Sequence, residues 1–314
     1  MHVSSKSLLQ SCLIAAALLC MPSAAAAERP CVAKAKTIKG PATTGCAKAM
    51  NAETARGVGM GTGGRATAMS TSALAYNPAA LSIGRLYHVE GNVDYIYGDT
   101  TALGASVVDS STSSVGAGVS FRGFLSGDNG LKGYDGKLGL AFGFSDQISL
   151  GLGGRLLELY TEVPSADMMG TDEVELAKGF TMDASFRLMP TKGLHLAVLS
   201  YNFIDLESQY VPVMAGGSVG LEFAPGMMAN VDVLTDVSTY EDPQILTGGG
   251  IEVMIANKAP VRAGYSFDAA RELHTASIGL GYTDRRVGVD FAVAREVSGG
   301  DDMRISAGLR YYVH

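Results

Sequence analysis

The sequence predicts an all-β fold, a transmembrane antiparallel β-barrel of about fourteen strands with an N-terminal plug. Three observations predict it. From about residue 86 onward, short runs place an apolar residue at every second position. The chain opens with an export leader and then lacks any stretch of roughly 18 or more apolar residues that could cross a bilayer as a helix. The connections between the runs also alternate between short and long, as they do in a barrel whose turns lie on one side of a membrane and its loops on the other.

In the leader, Lys6 precedes an apolar stretch over 8–19 and small residues over 23–27, so cleavage is expected after Ala27. A lipoprotein signal ending at Cys20 is the rival, but bulky Leu19 stands where such signals carry a small residue. The domains expected are therefore a signal peptide over 1–27, a hatch over 28–85 and a barrel over 86–314. Loss of the leader removes Cys12 and Cys20, leaving Cys31 and Cys46 as the only thiols. An oxidising compartment favours their pairing as a disulfide that closes a short loop. Two thiols with no nearby histidine are too few to hold a metal, and no cofactor is expected. Lys34, Lys36 and Lys39 make that loop basic, which suits a solvated tether and leaves open a periplasmic protein partner.

Residues 57–81 combine a glycine-rich stretch, a run of small residues and the sequence Asn77-Pro78-Ala79-Ala80-Leu81. Gly59, Gly61 and Gly64 match the dinucleotide pattern GxGxxG, but no strand precedes them and no parallel βαβ unit follows, so a nucleotide site is not expected. Glycine permits close backbone approach in a crowded lumen, Asn77 before Pro78 is pushed toward an extended conformation, and its amide can bond backbone groups of the same turn. The plainer alternative is that Asn77 and Pro78 only end a short helix.

Candidate strands fall at 86–98, 101–109, 113–124, 136–145, 147–160, 178–189, 193–204, 213–223, 226–237, 245–256, 260–267, 273–283, 286–296 and 303–313. In the thirteenth, Val287, Val289, Phe291 and Val293 oppose Gly288, Asp290, Ala292 and Ala294, one face suited to lipid and the other to water. A soluble sandwich also alternates, but has no reason to alternate its loop lengths. The same rule points Arg122, Arg155, Asp183, Arg187, Glu222, Asp232, Asp236, Glu252, Arg262, Asp290, Arg304 and Arg310 into the lumen, as ion pairs or solvated wall residues. The longest external loop is expected at 161–177, where Met168 and Met169 could make adaptable apolar contacts. With no Trp in the chain, tyrosines near strand ends, such as Tyr265, Tyr282 and Tyr311, would form the interfacial girdles. The last strand resembles the C-terminal strand by which outer-membrane barrels are recognised for assembly, although it ends in His314.

A net charge of −7 argues against nucleic-acid binding. His88, His195, His274 and His314 lie in no Ser, His and acid constellation, so the barrel is not expected to be an enzyme.

The glycine-rich run followed by Asn77-Pro78-Ala79-Ala80-Leu81 resembles the N-terminal hatch of the FadL-like outer-membrane transporters of long-chain fatty acids and aromatic hydrocarbons. The resemblance implies a fourteen-strand barrel plugged by its N-terminus, in the outer membrane of a Gram-negative bacterium. It also implies passive uptake of hydrophobic solutes, which would leave when the hatch shifts or through a gap at a bent strand. Gly116, Gly118 and Gly123 in the third strand could permit that bend. The motif also resembles that of PorV-like barrels, which act as protein-secretion partners or scaffolds. The partners implied are outer-membrane lipid and a hydrophobic small molecule.

Overall fold

Alternation over 86–313 closes into one sheet. In the computed structural model, which describes residues 54–84, 86–96, 100–126, 130–164, 171–300 and 302–313, fourteen strands form a closed barrel in chain order. They are β1 (Tyr87–Ile96), β2 (Thr100–Asp109), β3 (Val115–Ser126), β4 (Leu131–Gly143), β5 (Ile148–Pro164), β6 (Thr171–Thr191) and β7 (Leu194–Tyr201), then β8 (Met214–Ala224), β9 (Met227–Asp236), β10 (Gln244–Ile255), β11 (Ala259–Asp268), β12 (Leu273–Thr283), β13 (Val287–Ser298) and β14 (Met303–Val313). Every neighbouring pair is antiparallel, and β1 closes on β14 with Tyr87 opposite Val313. The leader, Cys31 and Cys46 lie outside the described residues.

Side-chain period two sets the two faces. Val289 and Phe291 on β13, Val119 and Phe121 on β3, and Leu138 and Phe142 on β4 are exposed outward, while Asp290, Gly118 and Gly139 are buried. The exposed apolar residues occur on strands around the barrel, and Tyr265, Tyr282 and Tyr311 are among them. Among the described residues no helix is long and apolar enough to cross a membrane.

One end of the barrel, the turn end, carries tight connections. In the β12 to β13 turn, the Asp284 carboxylate accepts the backbone N–H groups of Arg286 (2.7 Å) and Val287 (2.8 Å), which hold its pKa below the ordinary value. The opposite end, the loop end, differs from the sequence expectation. Residues 161–177 are largely strand: β5 runs on to Pro164 and β6 starts at Thr171, with Pro164 opposite Thr171. β4 likewise begins at Leu131, five residues before its expected start at 136. Polar side chains do not stop a ladder that needs only backbone groups, so these hairpins outrun the apolar band. Met168 and Met169 lie outside the described residues.

The loop that does reach inward is 202–213, between β7 and β8. Val211, Leu206 and Tyr210 pack with Ile96, Phe124, Leu157, Leu159 and Leu176. Asn202 donates to the Asp183 carboxylate from its backbone (2.9 Å) and to the Pro212 carbonyl from its side chain (2.9 Å). This loop covers the β1 to β6 side of the lumen at the loop end.

The expected bend in β3 is absent. β3 pairs with β2 from Ala117 to Ser126 and with β4 from Val115 to Phe124 without a register shift. Gly116 and Gly118 instead make room for the plug: a Cβ on Gly116 would come within 2.6 Å of the Leu81 carbonyl oxygen, and one on Gly118 within 3.3 Å of Leu74. Register shifts occur elsewhere, at Leu159/Tyr160, Leu188/Thr191, Glu222/Ala224 and His274/Thr275.

Candidate functional site

The lumen is occupied by the chain's own N-terminal segment. α1 (Ala55–Gly59) is capped by the Thr54 hydroxyl, which accepts the Gly57 N–H (3.3 Å). A glycine-rich crossing then leads to α2 (Thr71–Tyr76) and a 3-10 helix (Pro78–Ser82). Most residues of this plug are buried, with Met69 the exposed exception.

Its motif residues fall into two groups. Gly59, Gly61 and Gly64 lie in the crossing or at its edge, and Asn77, Pro78 and Ala79 join the two short helices. A Cβ on Gly59 would sit 3.0 Å from the Gly279 Cα of β12. Gly61 has φ +63°, donates its N–H to Ser277 Oγ (3.0 Å), and lies so close to Tyr265 that a side chain there would strike its backbone. Gly64 has φ +93°. The facing wall positions are also glycines, Gly249, Gly264 and Gly279, so two backbones meet along a seam. Gly59, Gly61 and Gly63 make that seam, against Gly279, Gly264 and Gly249, whereas Gly64 meets only side chains, so the seam follows a period of two and uses two of the three GxGxxG glycines.

Asn77 is 0% exposed. Its backbone N–H closes α2 on the Ala73 carbonyl (2.8 Å), and its side-chain amide donates to the Arg65 carbonyl (2.9 Å), twelve residues back. The expected bond within its own turn is thus replaced by a clamp between the two groups of the motif. Pro78 starts the 3-10 helix, where a missing N–H costs nothing, and Ala79 donates its N–H to Ser185 Oγ of β6 (2.8 Å).

Charged side chains fix this plug to the wall. Arg65 donates its backbone N–H (3.1 Å) and Nη1 (2.9 Å) to Asp232 of β9, and its Nε to the Tyr201 hydroxyl (3.1 Å). Arg56 forks onto Glu252 of β10 (3.1 and 3.2 Å), which also holds Arg262. The chain of charges continues through Arg262 to Asp290, Arg310 and Glu90, and Glu90 accepts the Thr71 hydroxyl of the plug. Arg304 (3.3 Å) and Arg122 (3.6 Å) share Asp94, Arg155 forks onto Asp135 (2.8 and 3.0 Å), and Lys137 meets Asp183 (3.4 Å).

The expected lumen residues mostly take these places. Asp236 is buried, accepting backbone N–H groups of Ser238 and Thr239, whereas Glu222 is exposed at the turn end. Sequence reasoning missed His88, Glu90 and Asp94, although their alternation with Val89, Gly91 and Val93 carried the signal. It missed Asp135 because β4 begins earlier than its apolar residues suggest.

Between the plug and β9 to β14, toward the loop end, lies a cavity of about 140 Å³. Val58, Leu234, Leu246, Leu273 and Ala294 give it apolar wall, and Arg65, Asp232, Asp268, Arg271, Glu296 and Arg304 also line it. Its charges come already partnered, so it can hold an apolar body without leaving an ion uncompensated.

No protein-family model matches this chain, and no curated protein matches it. Solved structures do. The Pseudomonas putida toluene transporter TodX is 14% identical with TM-score 0.57 over 84% of this chain and 98% of that one. The CymD monoaromatic hydrocarbon channel is 12% identical with TM-score 0.57 over 83% and 97%. A Pseudomonas aeruginosa FadL homologue is 12% identical with TM-score 0.57 over 84% and 98%. The fold is the FadL-type barrel. Within that FadL-type fold, the hatch motif at 57–81 supplies both the seam and the Asn77 clamp that seat the plug.

Proposed function

We propose that the protein is an outer-membrane channel for passive uptake of hydrophobic small molecules, aromatic hydrocarbons or long-chain fatty acids. The apolar exterior sits in the lipid, with the turn end in the periplasm and the loop end outside. The observation that carries the reading is the cavity of about 140 Å³ between plug and wall on the loop-end side. Its volume matches that of an engineered cavity of about 150 Å³ that binds benzene, so it has the size of a single ring and an acyl chain would extend past it, although its lining mixes the apolar residues with paired charges. The similarity of the fold to hydrocarbon channels supports the same reading.

The test is uptake of radiolabelled toluene and oleate by Gram-negative cells stripped of their own hydrocarbon channels, with and without this protein. Expression should raise uptake of at least one solute, and Leu246→Trp, which fills the cavity, should reduce it. Uptake equal to that of cells without the protein sinks the channel reading and moves attention to a role as a secretion partner.

A further inference from the structure

Lumen-facing arginines elsewhere in the barrel are matched to carboxylates: Arg65 to Asp232, Arg155 to Asp135, Arg262 to Glu252 and Asp290. Arg187 is different. It lies on β6 near the turn end, 2% exposed, and among the described residues no carboxylate pairs with it. Its Nη2 reaches His195 Nδ1 on β7 (3.1 Å), with Met189 Sδ at 3.9 Å, and its buried Nε has no hydrogen-bond partner. Ser149 stands directly opposite on β5, 1% exposed, and its Oγ also has no partner. Glu222, the acidic residue at the same rim, is exposed and its charge acts on His195, but it forms no ion pair with Arg187.

The donors here outnumber the acceptors. A histidine that accepts at Nδ1 is neutral and carries its proton on Nε2, so His195 adds a donor to those of Arg187 and Ser149. A buried cation without an anion is costly, and barrels elsewhere in this lumen avoid it at every arginine named above. The position is one lumen step beyond Ser185, which accepts the Ala79 N–H, and level with Ser82, which packs at Gly143 opposite Ser149, so the three side chains gather at the turn-end edge of the plug.

We propose that Arg187, Ser149 and His195 form a subsite for an anionic oxygen group, a carboxylate or phosphate, at the turn end of the lumen. The guanidinium supplies charge and a planar fork, the Ser149 hydroxyl donates from across the strand pair, and His195 orients the guanidinium. The anion is borne by an amphiphile or is free in solution. The subsite stands on the barrel geometry and does not depend on the channel reading.

Full-length protein in zwitterionic detergent is titrated calorimetrically with octanoate, inorganic phosphate and, as the uncharged control, octanol. Saturable binding of an anion is expected, weakened at least about tenfold by Arg187→Gln and less by Ser149→Ala, as loss of a charged hydrogen bond implies. Octanoate binding well above phosphate assigns the site to an amphiphile's head group, and phosphate binding as well or better assigns it to a free anion. Heat-modifiable gel mobility checks that each variant keeps its barrel; should Arg187→Gln lose it, Ser149→Ala and displacement of the anion by high salt decide. Absence of anion binding in the unmodified protein, or binding unchanged in both variants, overturns the subsite. Hydrocarbon uptake that persists in that case leaves the channel reading in place.

Discussion

The plug meets the barrel by two kinds of contact on its two sides. Toward β2 to β5 the contact is mainly apolar: Leu74, Ala80 and Leu81 pack with Val108 and Ala141, Gly139 leaves the space that Leu74 and Leu81 occupy, and one polar bond, from Lys137 to the Ala75 carbonyl (3.2 Å), joins them. Toward β9 to β13 it is backbone on backbone at Gly59 and Gly61, reinforced by Arg65 on Asp232 and Arg56 on Glu252. Apolar contact is non-directional and tolerates small displacements. Paired charges do not, because opening the gap strands each ion in a dry site. The β9 to β13 side therefore fixes where the plug sits, while the apolar side contributes adhesion. The cavity borders the fixed side, through Val58, Gly61, Thr62 and Arg65.

The largest expected effect comes from breaking a charge on the fixed side. Asp232→Leu leaves Arg65 buried without its carboxylate, a loss of about 3–5 kcal/mol. The urea midpoint of the purified barrel should fall, and trypsin should cut after Arg65, which is buried in the seated plug. Wild-type resistance to trypsin would break the assignment of the fixed side.

Next comes the seam. Gly61→Val imposes a side chain on a left-handed backbone pressed against Tyr265, at a cost of about 2–4 kcal/mol from strain and overpacking together. The plug should again become open to trypsin, with strand content by circular dichroism unchanged. A stable, protected variant would mean that the seam can shift without releasing the plug.

The smallest effect of the three sharpens the contrast. Leu81→Ala on the apolar side should cost about 2–3 kcal/mol, near the lower end for a buried leucine. It should lower the urea midpoint while Arg65 stays protected from trypsin. Cleavage as fast as in Asp232→Leu would erase the distinction between the two sides.

Much of this is legible in the sequence. The expected thirteenth strand, 286–296, is β13 (Val287–Ser298), and its alternation places Asp290 inside and Phe291 outside as expected. The motif at 57–81 identified the segment that fills the lumen. The extension of β5 and β6 was hidden because their outer parts lack the apolar alternation on which strand reading depends. Gly116 and Gly118 suggested a bend because a glycine in a strand records only a missing side chain. Whether the space is used for bending or for a neighbour depends on Leu74 and Leu81, about forty residues away.

By itself, the sequence determined the closed antiparallel architecture, the face on which most side chains stand and the identity of the plug, because these follow from a local period of two and a contiguous motif. Only the tertiary structure decided which charges meet. Arg56 and Glu252 are 196 positions apart, and Arg65 and Asp232 are 167 apart. Such pairs exist only once the barrel closes and the plug takes one path across it. The same closure leaves Arg187 without a carboxylate among the described residues, since alternation fixes that it faces inward and says nothing about what will face it.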